Sequence, residues 1–368
     1  MRAGQALAGE EKLGGDGLAA LRDFLAKPFT LEFSLGARVA ESVEELTYLQ
    51  PEQYLVLDHT ADLQRALLQG GAGTGKTMIA MEAARRSAES GARTLLTCFN
   101  RPLAIEMKRR LGERHELALD NFHAICTGMS GGDISLDRAA DALSQRVAAD
   151  PSLKWDRIIV DEGQDFREDW WIALEEALKE DGSLLVMADT NQRLYHDRAL
   201  LVRDLELIPI RLTRNLRNTK RVHEAASVHY QGHAITPDGP AGIDVEWFSG
   251  ATGDGLVSLA IAQLRRLTMN DEVAPSDIAI LLPNQSWVTR FDELNRTKIP
   301  VSSAEDMAGD AVIVDTIRRF KGLERPVIVA VLAPDDALVE LAYVAFSRAS
   351  AHLLIIAEES ILTALRDS

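Results

Sequence analysis

The stretch Gly70-Gly71-Ala72-Gly73-Thr74-Gly75-Lys76-Thr77 constrains this 368-residue chain more than any other. It has the spacing of a phosphate-binding loop: glycine, four residues, then Gly-Lys-Thr. Glycines let a backbone curl so that successive N–H groups converge on phosphate oxygens, through conformations that a Cβ forbids. Lys76 is the expected cation between the outer phosphates, and Thr77 the expected hydroxyl for Mg²⁺. The apolar run Ala66-Leu67-Leu68 predicts a buried strand leading into the loop. Met78 to Ala84 predicts the helix leading out, whose N-terminus favours anions. The stretch therefore predicts a nucleotide-binding α/β protein.

A second strong signal is Arg157-Ile158-Ile159-Val160-Asp161-Glu162. A continuous apolar run reads as a strand buried on both faces, with two acids at its C-terminal end, where open α/β sheets bind ligands. Asp161 is expected to hold the metal and Glu162 to polarise an attacking water. Further strands are predicted at Thr94-Phe99, Ser183-Met187, near Ile208-Leu212, and at Val245-Phe248, Ile278-Leu282, Val312-Val314, Val327-Val331 and His352-Ile356. They alternate with helical segments, which predicts two parallel-sheet domains in tandem, only the first carrying a phosphate loop. A second domain that closes on the nucleotide should bring an arginine to the γ-phosphate, where charge builds up in the transition state. Arg217 and Arg348 are the candidates. Gln53 is a candidate for reading adenine, because a glutamine amide donates and accepts at once.

Composition bounds the class. Two cysteines, Cys98 and Cys126, argue against a disulfide framework and fit a reducing cytoplasm. The apolar run from Val327 to Ala333 is too short to span a bilayer, and Met1-Arg2-Ala3-Gly4-Gln5 has no apolar core like that of a signal peptide. A cytoplasmic protein without a membrane partner is expected. The net charge of −16 argues against tight, non-specific coating of nucleic acid, although a local basic groove can exist on an acidic protein. Within residues 1–45, only Leu18 to Leu25 suggests a helix, ended by Pro28.

Taken in order, the motifs resemble those of the UvrD/Rep-like superfamily 1 DNA helicases. They are Gln53, the phosphate loop, Thr97-Cys98-Phe99-Asn100, Asn121-Phe122-His123, Asp161-Glu162-Gly163-Gln164-Asp165, Asp189-Thr190-Asn191-Gln192, Asn215-Leu216-Arg217, Thr316 to Glu324, and Tyr343 to Ala349. Within that family the chain looks closest to the motor part of proteins that carry a nuclease-related domain. Residues 1–45 are too few to hold such a domain.

The resemblance implies two RecA-like domains without large inserted subdomains. Expected bounds are an N-terminal extension at 1–45, a first ATP-binding domain at 46–211 and a second RecA-like domain at 212–368. It implies ATP and Mg²⁺ as cofactors, Gln164 and Gln192 as γ-phosphate sensors, and Glu324 at the ribose. Arg217 and Arg348 become finger arginines. Phe99, Asn100, His123, Tyr195 and Arg318 would face a nucleic-acid strand, where aromatic faces suit any base. Three positions depart from the family pattern: Ala188 stands where it has glycine, Leu216 where it has tyrosine, and Arg318 where it has histidine. The expected activity is ATP hydrolysis stimulated by single-stranded nucleic acid, DNA first, with 3′-to-5′ translocation by analogy and weak or partner-dependent unwinding. The alternative is an ATP-driven switch that docks on a nuclease or a repair or defence protein without translocating.

Overall fold

A computed structural model describes residues 34–49, 53–60, 62–130, 134–189, 205–251, 253–307 and 309–366. The predicted helix at Leu18 to Leu25, and two of the candidate residues, Gln192 and Tyr195, lie outside the described residues. Residues Leu35–Ser368 make one compact unit.

The apolar runs at Thr94–Cys98, Ile278–Leu282 and Val312–Thr316 become strands with no solvent face. Strands β1 (Arg65–Gln69), β2 (Thr94–Cys98), β3 (Leu117–Asn121), β4 (Trp155–Val160), β5 (Leu178–Ala188) and β6 (Ile208–Arg211) form one sheet, in the order β3-β2-β4-β5-β1-β6. Every pairing in it is parallel. After the short ladder β7 (Arg214–Asn215) and β8 (Thr236–Pro237), a second sheet takes over. It uses β9 (Glu246–Ser249), β10 (Ile278–Leu282), β11 (Val301–Ser302), β12 (Val312–Thr316), β13 (Arg325–Val331) and β14 (Ala349–Ala357), ordered β11-β12-β10-β13-β14-β9. It too is entirely parallel. The fold is thus two tandem RecA-like α/β sheets, and no large inserted subdomain interrupts the described residues.

Register determines where chemistry can gather. Gln69 of β1 is level with Ala188 of β5, and Val160 of β4 with Val186 of β5. The segments after β1, β4 and β5 therefore leave the sheet at one edge, the C-terminal edge where parallel sheets bind ligands. The helix Lys76–Glu89 leaves that edge with Ile79, Ala80, Ala83 and Ala84 buried, while Arg85 and Arg86 pair with Glu82 on its outer face.

The helix Leu35–Leu49 packs against the second sheet, not the first. Val39 joins the core made by Leu256, Ile278 and Val312, and the Gly36 N–H donates to the Asp271 carbonyl at 2.8 Å. A Cβ on Gly36 would lie 2.3 Å from the Glu272 carbonyl oxygen, so this approach requires glycine.

Candidate functional site

The phosphate loop has the geometry its glycines permit. Gly73 and Gly75 have φ of 78° and 85°, and the helix begins at Lys76. Lys76 Nζ donates to the carbonyls of Gly70 (2.7 Å) and Gly71 (2.9 Å) and lies 3.7 Å from Asp189 Oδ2. Thr74 Oγ1 donates to the Gly71 carbonyl. Gln53 is buried over Gly75: a Cβ there would lie 2.1 Å from Gln53 Oε1. Neither polar atom of the Gln53 amide has a partner among the described residues. A buried, unpaired amide is costly, and a hydrogen-bonding ligand would relieve it.

Asp161 is fully buried at the end of β4. Its Oδ2 accepts from Thr77 Oγ1 at 2.7 Å and its Oδ1 from the Glu162 N–H at 3.0 Å. Neither partner is a cation. Burial, and then Glu162 beside it, raise the Asp161 carboxyl to about 6. A buried carboxylate next to a hydroxyl, both hard oxygen donors, fits a divalent cation held together with nucleotide phosphates. Glu162 has a positive φ of 54°, which turns its side chain back into the cleft. Burial opposes its charge, but Lys321, Lys76 and Arg348 outweigh that and hold it below the usual carboxylate range. Gln164 bridges the acids to β5: its amide donates to Glu162 Oε2 and accepts from the Asp189 N–H at 3.0 Å.

The second half reaches into this edge. Arg217 lies on the segment between β7 and the Lys220–Ser227 helix and forms an ion pair with Glu324. Burial pushes its guanidinium down to about 9, and the like charges of Arg110 and Arg348 add to that push. Arg348 follows the helix Leu338–Phe346 and is buried. Its guanidinium rests on the carbonyls of Val344 (3.0 Å) and Leu323 (3.4 Å) and on Ser347 Oγ (3.0 Å), none of them a carboxylate. Loop residues, Glu162, Arg217, Glu324 and Arg348 line a single cavity of about 30 Å³. A larger one of about 540 Å³ adjoins it at Arg217 and Glu324, walled by Leu46 of the Leu35–Leu49 helix, Arg110, Ile313 and Arg325.

The candidates for strand contact are dispersed around the cleft. Phe99 is 47% exposed at the end of β2 and stacks on Trp170 (5.8 Å, 25°), itself stacked on Phe122 at 4.4 Å. The Asn100 amide donates to the carbonyls of Arg319 (3.0 Å) and Lys321 (2.6 Å), so it joins the two halves. His123 Nε2 lies 2.7 Å from the Ile134 carbonyl oxygen. Arg318 is exposed, 3.8 Å from Asp335.

Four contributors were not assigned roles from sequence. Lys321 Nζ pairs with Asp165 at 2.5 Å and lies 3.8 Å from Glu162 Oε2. Asn215 and Asn218 press on Gly73, where a Cβ would fall 2.0 Å from Asn218 Oδ1 and 2.3 Å from Asn215 Nδ2. Tyr343 Oη accepts from the Ala72 N–H of the loop at 2.7 Å. The available signals were one tyrosine hydroxyl in the apolar run Leu341–Phe346 and two asparagines three residues apart.

Among solved structures, the chain is similar to the Arterivirus nonstructural protein 10 (helicase) in complex with DNA. The similarity is 13% identity and a TM-score of 0.44, over 82% of this chain and 63% of that one. A crystal structure of the same Arterivirus protein matches at 14% identity and a TM-score of 0.40, over 82% and 61%. The chain thus spans about three fifths of the length of these proteins. Residues 53–198, which hold Gln53, the phosphate loop and the Asp161–Glu162 pair, match the family model described as an AAA domain.

Proposed function

We propose that this protein is an Mg²⁺-dependent ATP hydrolase driven by single-stranded nucleic acid. The observation that carries the proposal is the composite site. Loop and acids come from the first sheet, and Arg217, Lys321 and Arg348 come from the second half to the same cleft. In this reading Lys76 and the loop N–H groups from Gly70 through Gly75 bind phosphate, and Thr77 and Asp161 hold the cation. The metal, when bound, neutralises phosphate charge and fixes the β- and γ-phosphates. Glu162 takes the proton of the attacking water, while Gln164 fixes its carboxylate and links it to Asp189. Gln192, by the resemblance, would sense the γ-phosphate. Arg217 and Arg348 stabilise charge on the transferring phosphoryl group, and the 540 Å³ cavity beside Glu324 is large enough for the nucleoside. Gln53 supplies an amide for the base.

The strand would cross Phe99, Asn100, His123, Tyr195 and Arg318. Single-stranded DNA is the expected substrate, with 3′-to-5′ movement by analogy with the UvrD/Rep-like motors. The absence of large inserted subdomains among the described residues supports weak or partner-dependent unwinding. The net charge of −16 favours a second reading, an ATP-driven switch that docks on a nuclease or another repair or defence protein and does not translocate. ATPase rate with and without single-stranded DNA separates them. The motor predicts stimulation that rising salt erases, as counterions compete for the strand. It also predicts that Phe99→Ala weakens strand binding by roughly 1–3 kcal/mol, the worth of one stacked base. No strand binding at any salt concentration would leave only the switch.

A further inference from the structure

The helix Leu338–Phe346 is buried through Leu341, Ala342, Val344, Ala345 and Phe346. Tyr343 is its one buried side chain with a polar group, and its hydroxyl is inserted into the other half of the molecule. Its oxygen accepts the Ala72 N–H at 2.7 Å and lies 3.4 Å from Asp189 Oδ2. The ring is 4% exposed and stacks on Tyr230 with centroids 5.6 Å apart. Burial, with Asp189 beside it, raises the phenol well above its ordinary value, so it stays a neutral hydroxyl that can accept from Ala72 while donating to Asp189.

A phosphate-loop N–H is a donor aimed where an anion oxygen goes. Here an uncharged oxygen from the second half occupies it. Other side chains crowd the loop as well. Lys76 is folded onto the loop carbonyls, and Asn215 and Asn218 lie against Gly73. The remaining space of about 30 Å³ has room for about one or two waters, far less than a triphosphate.

We infer that Tyr343 is a positioning residue whose hydroxyl holds a loop N–H that a phosphate oxygen needs, and must be displaced when a nucleotide enters. The inference rests on the nucleotide-binding reading above. Its consequence is mechanical. The residue displaced is on the helix that precedes Arg348, so phosphate occupancy and the position of the finger arginine are two readings of one movement. A contact that occupies the ligand's donor competes with the ligand, and removing it shifts the population toward the binding-competent form.

The test is Tyr343→Phe, which keeps the ring and its stack and deletes only the hydroxyl. Affinities for ADP and for inorganic tripolyphosphate are measured on the full chain by calorimetry, and association rates with a fluorescent ADP analogue. Loss of one competing hydrogen bond should tighten both ligands by about two- to tenfold and speed association. A merely structural contact predicts the opposite sign: a loosened protein that binds more weakly. Equal or weaker binding by Tyr343→Phe, with the native protein binding in a Lys76-dependent manner, overturns the inference alone. If neither protein binds ADP or tripolyphosphate, the inference and the nucleotide reading both fall.

Discussion

At the scale of single residues, the cleft separates groups that bind from groups that turn over. Lys76 is the one ammonium inside the loop, and the rest of the cradle is backbone. Lys76→Ala should therefore weaken nucleotide binding and abolish hydrolysis, measured as affinity and phosphate release. Glu162 is different: Gln164 fixes it, three cations keep it charged, and none of its described hydrogen bonds is to the loop. Glu162→Gln should leave ATP affinity near native and stop turnover, because only the carboxylate can take a proton from water. Native-rate hydrolysis by that variant would remove Glu162 from the base role. These residues were legible because their chemistry is local. A Gly-rich loop between strand and helix, or two acids after an apolar run, declares its use within a few positions. Tyr343, Asn218 and Lys321 were not, since their partners lie more than a hundred residues away and only the docking of the halves brings them together.

At the scale of elements, the strand runs were read correctly because strands buried on both faces leave a continuous apolar signature. β10 and β12 have no exposed residue and were found in place. Polar edges were harder to see. β3 is half-buried except at Asn121 and has no continuous apolar run, and the Leu35–Leu49 helix gives no hint of which sheet it covers. One polar anchor on the second sheet has a measurable consequence. Glu246 opens the edge strand β9, where it accepts from His352 of β14 at 2.9 Å and takes Arg266 in a two-point pair at 2.6 and 2.7 Å. Burial works against its charge, but the His352 and Arg266 hydrogen bonds outweigh it and hold the carboxyl down to about 2, from 4.5. A depressed carboxylate contributes stability that is complete above its unfolded value and is lost as pH falls through the folded one. Glu246→Gln should lower the unfolding temperature at pH 7 and flatten its fall between about pH 4.5 and about pH 2. An unchanged pH profile would show that β9 is not anchored by this charge.

At the scale of the whole molecule, two parallel sheets share one cleft, and each supplies what the other lacks. The first has the loop and the acids, and the second has cations and no phosphate loop. Asn100, Lys321, Tyr343 and the Arg217 segment all cross that boundary. Relative movement of the halves therefore changes the loop, the acids and the arginines together, as a nucleotide-driven motor or switch requires. If the second half completes the active site, Arg348 is the residue whose loss should show it. Its guanidinium is buried and held by carbonyls and a hydroxyl, so its described hydrogen bonds leave its charge available where charge develops. The decisive measurement is turnover at saturating ATP for Arg348→Ala beside the native protein, with ATP affinity measured in parallel. The account predicts a loss on the order of 10³-fold or more in turnover with affinity little changed, and little rescue by Arg348→Lys, which lacks the planar fork. Near-native turnover in Arg348→Ala would contradict it.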